Sequence, residues 1–387
     1  MSNENSYLYL KFELKDNSYF SYFDSLKRYF LIKYNSKITY EKSISSIKVK
    51  SEYYDELLIT IKKDFPLFIP EKRSIPINEI KSLINEGSYL DHTNKLISEK
   101  ILFKSDTLGN FIESAEFSEA KLLLDQFIKN TISKEIKNVI EVNVPLTVSS
   151  DAIIKTGYID KFTDILILTS GISKEKIIDI KNDKRTLSGE NFLSPTVCFR
   201  VFPHIREKIK SNLSLTDSTI LFTSRAQCFR NEIHVLNTSL RRLNEFSMRE
   251  YIFVGSQKEI TKNIDLFTQI IKKVLEGLFI EKYSIEEAND AFFIGAFRSN
   301  SKYQKLLKLK QEFISLVDNY PLSFISINHH KLTMLKAFKI LNLIQDKYTD
   351  PTSTCIGFGL DRMMLILYSI HGFKNKSLIN FLKKLNL

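Results

Sequence analysis

The chain has 387 residues, of which 43% are hydrophobic, and a formal net charge of +11. This length and composition exclude a low-complexity chain and predict one or two globular domains with at least one sizeable core. The excess of basic residues suits an anionic partner such as nucleic acid or nucleotide, although lysines spread over solvated faces would give the same charge.

The sequence carries no sign of export or membrane insertion. Its start lacks a basic segment followed by an apolar run, so no secretory signal is expected. No stretch of about 18 uncharged apolar residues occurs, so no transmembrane helix is expected and we predict a cytoplasmic protein. Three widely separated cysteines, Cys198, Cys228 and Cys355, cannot form a disulfide framework and predict free thiols or metal ligands.

The first part of the chain is predicted to form a small α+β domain. Alternation at Tyr7–Leu14 predicts a strand, and apolar spacing over Ser21–Tyr34 predicts a helix. Two more strands are expected at Ile44–Lys50 and Glu56–Lys62. A tract rich in proline, glycine and polar residues follows from Glu71 to Gly109, so we place the domain boundary near its end and predict an accessory domain over residues 1–110.

The remaining residues, 111–387, are predicted to form a mixed α+β domain built on an antiparallel sheet. Helical spacing over Ser114–Lys137 leads into a β-branched strand at Val139–Leu146. Further strands are expected at Asp164–Leu168, Ile177–Ile180, Ser218–Thr223, Tyr251–Val254 and Leu322–Ile327. Long strands without repeated βαβ units argue against a doubly wound parallel sheet.

Helices are expected to interrupt this series of strands. Gln257–Glu281 has helical spacing and Ser301–Val317 reads as a basic amphipathic helix, so we predict a helical insertion over about residues 257–317. Cys355–Tyr368 is predicted to pass from strand into helix. The chain contains neither a GxxxxGK[ST] loop nor a GxGxxG after an early strand, so side chains on a sheet would have to hold any nucleotide.

Three separated segments carry the most specific pattern. The first reads Cys-Phe-Arg-Asn-Glu at Cys228–Glu232, the second is Arg242–Glu250, and the third reads Gly-Phe-Gly-Leu-Asp-Arg at Gly357–Arg362. Each segment alone is weak, since an isolated arginine is more often part of a surface ion pair. Their order and spacing are specific.

In this order the segments resemble the motifs of class II aminoacyl-tRNA synthetases, over roughly residues 115–375. The early helix and strand with Pro145 resemble motif 1, Phe229–Val254 resembles motif 2, and Gly357–Arg362 with the following helix resembles motif 3. The resemblance implies an antiparallel sheet flanked by helices. It also implies a homodimer joined through motif 1, with the isologous symmetry usual for dimers.

The resemblance implies an ATP site built on arginines. Arg230 resembles the motif 2 arginine that bridges the substrate carboxylate and the α-phosphate, and Arg362 resembles the motif 3 arginine on the far side of the nucleotide. Guanidinium groups suit this role because they bind carboxylate and phosphate oxygens in a fixed geometry. The other implied ATP contacts are Glu232 for the adenine amine, Arg241 or Arg242 for the γ-phosphate, and Phe246 for the face of adenine.

Within class II, the chain is similar to the zinc-dependent seryl-tRNA synthetases and the related amino acid:carrier protein ligases. In these families a cysteine precedes motif 2, a glutamate ends its second strand and a cysteine abuts motif 3; the residues here are Cys198, Glu250 and Cys355. Two thiolates, a carboxylate and an open fourth position form a plausible catalytic zinc set, with the ion binding the substrate's amino group. The alternative is two cysteines packed as small hydrophobes and a paired glutamate.

Three further positions bear on magnesium and on the acceptor. Asn328 and His330, in an Asn-His-His run, resemble residues of the carrier protein ligases, although such a run also fits a solvated turn. No acidic residue occurs in Pro321–Asn328 to hold Mg2+, which leaves Asn328 as a partial substitute. Lys302 and Lys305 fall where the ligases meet their acidic carrier, or on a solvated helix face.

The resemblance therefore implies a ligase that uses ATP, Mg2+ and Zn2+ to activate a small amino acid and transfers it to the phosphopantetheine thiol of an acyl carrier protein. One alternative is the same activation followed by transfer to tRNA, as in the zinc-dependent seryl-tRNA synthetases. The other is a non-catalytic synthetase paralogue. The accessory domain over residues 1–110 is intermediate between the nearly bare core of the ligases and the large docking domain that tRNA enzymes need.

Overall fold

The computed structural model describes residues 7–11, 39–41, 46–50, 71–72, 92–107, 109–162, 165–169, 191–211, 219–232, 239–288, 309–317 and 320–387. The chain divides into two compact units, Met1–Leu90 with Ala288–Leu307 and Asp91–Glu287 with Lys308–Leu387. The boundary predicted near residue 110 stays a prediction.

The first unit contains a sheet of four described strands. In chain order they are β1 (Tyr7–Lys11), β2 (Thr39–Glu41), β3 (Ser46–Lys50) and β4 (Glu71–Lys72). They lie in the order β2-β3-β1-β4, and every neighbouring pair is antiparallel. The strands predicted at Tyr7–Leu14 and Ile44–Lys50 are confirmed over most of their length. The predicted helix Ser21–Tyr34 and strand Glu56–Lys62 lie outside the described residues.

The second unit contains the remaining elements. The strands are β5 (Leu102–Lys104), β6 (Phe111–Glu113), β7 (Val139–Glu141), β8 (Thr147–Ser149), β9 (Ile167–Thr169), β10 (Asn191–Leu193), β11 (Thr219–Phe229), β12 (Glu245–Ser256), β13 (Tyr283–Glu287), β14 (Lys310–Val317), β15 (Tyr320–Lys331) and β16 (Pro351–Gly359). The helices are α1 (His92–Ser98), α2 (Ala115–Glu135), α3 (Ser150–Lys155), α4 (Tyr158–Phe162), α5 (Cys198–Lys210), α6 (Gln257–Gly277), α7 (Thr333–Ala337), α8 (Leu341–Ile344), α9 (Leu360–His371) and α10 (Asn375–Leu385).

A sheet of seven described strands forms the centre of this unit, in the order β13-β14-β15-β16-β12-β11-β7. Neighbouring strands are antiparallel except β7, which pairs parallel to β11. β16 comes last along the chain but lies between β12 and β15. The predicted α+β fold with an antiparallel sheet flanked by helices is therefore confirmed.

Both faces of the sheet are covered, and β12 shows why its sequence folds this way. Tyr251 and Phe253 join a core formed with α2, α6, α9 and α10. Ile252 and Val254 point to the opposite face and join a second core formed with α5, α7 and α8. Because successive side chains of a strand alternate between faces, a continuous apolar run is what a strand buried on both sides requires.

The long helices begin at polar caps. The Ser114 side chain accepts a hydrogen bond from Phe117 N at the start of α2, and Ser256 caps α6 in the same way. The predicted helices Ser114–Lys137 and Gln257–Glu281 are thus confirmed. None of the helices within the described residues combines the length and the apolar character needed to cross a bilayer.

The helix predicted over Ser301–Val317 is wrong where the chain is described, because Lys310–Val317 forms strand β14. Phe313, Ser315 and Val317 are buried, while Leu316 is largely exposed. This burial repeats every second residue, which is the period of a strand and not of a helix. Within the described part of the predicted helical insertion, Gln257–Gly277 is helical, whereas Tyr283–Glu287 and Lys310–Val317 are strands. Its central part, residues 289–308, lies outside the described residues.

Candidate functional site

The arginines predicted to bind ATP lie together where β11 ends, β12 begins and α9 starts. Arg230 directly follows β11, Arg242 precedes β12, and Arg362 lies in the first turn of α9. The charges of Arg242 and Arg230 both act on the Arg362 guanidinium. The fold thus gathers cations from segments more than a hundred residues apart along the chain.

Main-chain carbonyls hold two of these guanidinium groups in place. Arg362 donates from Nε to the Arg241 carbonyl at 2.9 Å and from Nη1 to the Ser323 carbonyl at 2.8 Å. Arg230 donates from Nε to the Pro195 carbonyl at 3.2 Å. Arg241 itself donates to the carbonyl of Val317. Such anchors orient the planar guanidinium without neutralising its charge.

The surroundings of Arg362 disfavour its charged form. The pKa of Arg362 is lowered to about 10, first by burial and then by the charges of Arg242 and Arg230, while Glu312 and Glu232 oppose the shift. Nearby like charges disfavour the charged form of a group, and an opposite charge favours it. A polyanion bound beside Arg362 would therefore relieve the repulsion, which suits this cluster to phosphate groups.

Glu232 and Phe246, the predicted adenine contacts, border the same cluster. The Glu232 carboxylate accepts a hydrogen bond from Arg242 Nη1 at 3.1 Å. The Arg230 guanidinium lies 5.0 Å from the centroid of the Phe246 ring, within the range of a cation–π contact. The structure brings both residues to the arginines, and their contact with adenine stays a prediction.

A second cluster contains two of the predicted metal ligands. Among the described residues, Cys198, His330 and Cys355 form a group whose ligand atoms all lie within 4.8 Å of one another. Cys198 opens α5, Cys355 lies in the middle of β16, and His330 lies near the end of β15. The two cysteines are 3% and 2% exposed, whereas His330 is half-buried.

Glu250, the third predicted ligand, lies beside Cys198 but outside this group. One carboxylate oxygen accepts from Val197 N at 3.1 Å and the other from Cys198 N at 2.9 Å. Glu250 therefore binds the amino-terminal amides of α5, where a negative charge is favoured by the helix dipole. Burial raises the pKa of Glu250, while these amides, Arg200 and the Cys198 thiol lower it.

The chemistry of the cluster fits a zinc ion. Tetrahedral zinc with Zn–S bonds of about 2.3 Å separates its sulfur ligands by about 3.8 Å, which the grouping of Cys198 and Cys355 accommodates. Burial raises the pKa of Cys355 well above its ordinary value, and the hydrogen bond and charge of Cys198 add to the shift. A coordinated cation reverses this effect, because a coordinating thiol is deprotonated.

The other predicted site residues have mixed placements. Asn328 is directly opposite Cys355 in the β15–β16 pair, and its side chain donates to Ser326 Oγ at 3.2 Å. Cys228 is fully buried in β11, and burial raises the pKa of its thiol to about 12. The proposed carrier contacts Lys302 and Lys305 lie outside the described residues.

One carboxylate near the arginines was missed by the sequence analysis. Glu312 is paired with Ser326, Ser326 with Gly357, and Gly357 with Glu250, so the four residues form a row across the sheet. The charge of Glu312 acts to raise the pKa of Arg362. Glu312 Oε1 also forms an ion pair with Lys310 Nζ at 2.8 Å. The period-two pattern of β14 was the signal that would have found it.

Gly357 shows how closely this row is packed. A Cβ atom at Gly357 would lie 2.7 Å from the end of Met248, 3.5 Å from Ser326 Oγ and 3.6 Å from Glu250 Cγ. The glycine in the third sequence segment is therefore explained by a close approach of neighbouring side chains.

Comparison with known proteins identifies the fold. No protein-family model matches the chain, and no curated protein matches it in sequence. Among solved structures, the seryl-tRNA synthetase of M. kandleri in complex with A. aeolicus tRNASec matches with a TM-score of 0.58 and 13% identity, covering 90% of this chain and 73% of that one. The chain has a class II synthetase-like fold.

A second class II enzyme gives a similar match. Prolyl-tRNA synthetase from Giardia lamblia, solved with prolyl-adenylate, has a TM-score of 0.56 and 13% identity, covering 74% of this chain and 53% of that one. At this identity the likeness concerns the fold. The backbone thus has the class II synthetase-like fold that the sequence motifs implied.

Proposed function

We propose that this chain activates a small amino acid with ATP, forming an aminoacyl-adenylate. The observation that carries the proposal is the meeting of Arg230, Arg242 and Arg362 at one end of a class II synthetase-like sheet. The metal-ligating cluster is close by, since Arg230 is bonded to the carbonyl of Pro195, three residues before Cys198. An anion site next to a site that could hold the amino group of a substrate would suit the joining of ATP to an amino acid.

The arginines would act on the charge that develops during activation. A carboxylate oxygen of the amino acid attacks the α-phosphorus of ATP, the bond from that phosphorus to the bridging oxygen breaks, and pyrophosphate leaves. Arg230 would hold the carboxylate against the α-phosphate, and Arg242 and Arg362 would hold the phosphates from other sides. Preorganised cations aimed at developing charge lower such barriers most.

The metal site would choose and orient the amino acid. By resemblance the ligands are Cys198, Glu250 and Cys355, and zinc held there would supply a Lewis-acid position for the substrate's amino group. Binding of the amino group to the ion would favour a side chain small enough to lie beside it. For Mg2+, Asn328 stays the ligand proposed from the sequence, and Glu312 adds a carboxylate whose charge reaches Arg362.

For the acceptor, we propose the phosphopantetheine thiol of an acyl carrier protein. The thiol sulfur would attack the carbonyl carbon of the adenylate, AMP would leave with its oxygen, and the thiol proton would pass to solvent, giving an aminoacyl thioester. Lys302 and Lys305 would contact the acidic carrier. A second candidate acceptor is tRNA, and the match to the seryl-tRNA synthetase structure favours it, because that match covers 90% of this chain.

Amino-acid-dependent exchange of pyrophosphate into ATP tests the activation step. We expect exchange with at least one small amino acid, and Arg230→Ala should reduce its rate by about 10²- to 10³-fold, as loss of one transition-state donor does. Arg206→Ala is the matched control, because Arg206 on α5 pairs only loosely with Glu207, at 3.9 Å, and its exchange rate should be unchanged. Exchange with no amino acid would refute the proposal.

The acceptor is tested on an active preparation by offering the activated amino acid to two partners. A phosphopantetheinylated carrier protein should become aminoacylated, while bulk tRNA should not. Charging of tRNA without charging of the carrier would leave the activation proposal intact and replace the carrier by tRNA.

A further inference from the structure

We infer that His330 is a metal ligand, so that the ion is held by Cys198, His330 and Cys355, with Glu250 outside the coordination shell. The inference deepens the proposed function and rests on its metal site. It changes the donor set implied by the resemblance from two sulfurs and a carboxylate to two sulfurs and an imidazole nitrogen.

The grouping of donor atoms is the first argument. Ligand atoms of Cys198, His330 and Cys355 lie mutually within 4.8 Å, and a zinc ion at their centre would need only small side-chain adjustments to reach Zn–S bonds of about 2.3 Å and a Zn–N bond of about 2.0 Å. Two cysteines and one histidine, with a fourth position open to substrate, form a known catalytic zinc arrangement.

The backbone around His330 is the second argument. His329 is paired with Thr354 and Lys331 with Ser353, so His330 is the inserted residue of a bulge in β15. Lys331 then adopts a φ of 52°, a left-handed conformation that is uncommon for a residue other than glycine. Bulges of this kind re-aim a side chain, and they occur often beside active sites. Here the bulge brings His330 to the cysteines.

Glu250 supplies the third argument, because its carboxylate already has partners. Both of its oxygens accept main-chain amides at the start of α5, at 3.1 and 2.9 Å. The Cys198 amide is one of the two donors, so Glu250 fixes the residue that carries one metal-binding sulfur. Partners that orient a metal ligand without binding the ion are a regular part of metal sites. We assign Glu250 this positioning role.

Zinc-edge X-ray absorption on the zinc-loaded, substrate-free protein tests the inference directly. We expect two sulfur ligands at about 2.3 Å from zinc and one nitrogen ligand at about 2.0 Å, as in other protein zinc sites. The nitrogen should show the multiple scattering that is typical of an imidazole ring. A wild-type spectrum with two sulfurs and no imidazole would overturn the inference. This measurement needs no variant to fold.

Variants then assign the imidazole. His330→Ala should remove the imidazole signal and weaken zinc binding by at least about 100-fold, the upper range for loss of an outer partner. His329→Ala is the matched control, since His329 Nδ1 lies 3.1 Å from Thr354 Oγ1 and is absent from the group of donor atoms. An imidazole signal that persists in His330→Ala, or that disappears in His329→Ala, would contradict the assignment.

Glu250→Gln separates the two donor sets. It should keep the two sulfurs and the imidazole and weaken zinc binding by about 10- to 100-fold, as loss of an orienting partner does. If Glu250→Gln loses all zinc while His330→Ala retains it, the ligands are Cys198, Glu250 and Cys355, and the inference is wrong. Because these readouts use no ATP, a protein without pyrophosphate exchange but with the expected spectrum would defeat the proposed activity and leave the ligand assignment standing.

Discussion

Arg249 shows how a single charged residue is accommodated inside the sheet. Its side chain is 3% exposed, and it donates from Nη2 to Asp125 Oδ2 at 2.7 Å and from Nη1 to Glu141 Oε1 at 3.0 Å. Burial alone would lower the pKa of Arg249, but the hydrogen bonds and charge of Asp125 outweigh it and the net shift is upward. The pair connects α2 with β12, beneath the segment that carries the site.

Removing one partner of this pair should cost much of the protein's stability. We expect Asp125→Ala to lower the free energy of unfolding by about 3–5 kcal/mol, because it removes the buried carboxylate of Arg249 and leaves only the exposed Glu141 to pair with it. Urea denaturation followed by circular dichroism would measure the change. Lys273→Met is the control: Lys273 is 57% exposed in its pair with Glu135, so the loss should stay below about 1 kcal/mol. Equal losses in the two variants would contradict this account.

At the scale of elements, α2 depends on a single polar cap. Ser114 Oγ accepts from Phe117 N at 3.1 Å, and Ser→Ala at such a position costs about 1 kcal/mol. We therefore expect Ser114→Ala to lower the free energy of unfolding by about this amount in urea denaturation. Ser133→Ala, on the exposed side of the same helix, should leave stability unchanged or raise it slightly. A cap variant as stable as the wild type would show that tertiary packing alone holds α2.

The sequence predicts the elements whose apolar residues follow a regular period, and it misses those that carry residues of the candidate site. The helices α2 and α6 and the passage from β16 into α9 follow from periodicity. β12 was predicted only over Tyr251–Val254, which is its continuous apolar run. The polar and apolar residues that alternate at the start of β12 are a strand signal that the prediction did not use. The helix α5 was not predicted: it contains Pro203, and its first residue is a thiol whose partners are distant in sequence.

The same limit applies to the site. Cys198, Cys355 and the arginines could be found because their order resembles known motifs. The place of His330 could not, since it depends on a bulge in β15, and a bulge is set by the pairing of strands and not by local composition. Glu312 was missed because Lys310–Val317 was read as part of a helix, although burial in this strand alternates clearly.

At the scale of the molecule, the resemblance to class II synthetases predicts a homodimer joined through the segment read as motif 1. Two leucines of that segment, Leu122 on α2 and Leu146 after β7, are 52% and 53% exposed. Exposed apolar side chains of this size are suited to a protein interface. We expect sedimentation to show a dimer for the wild type and a monomer for Leu122→Glu.

The matched control for the dimer is Leu266→Glu. Leu266 lies on α6 and is 39% exposed, outside the segment read as motif 1, so this variant should remain dimeric. A monomeric wild type, or dissociation of the Leu266 variant alone, would place the interface elsewhere or remove it.

The position of β16 has a consequence for how the protein is made. Residues 351–359 are synthesised near the end of the described chain, yet they fill the gap between β12 and β15. Until they leave the ribosome, the edges of both strands are open, and unpaired edges favour association with other chains. This edge of β12 thus lacks its partner from the synthesis of Ser256 until that of Pro351, and the facing edge of β15 from Lys331 onward. Chaperone demand should end only when the strand bearing Cys355 has docked.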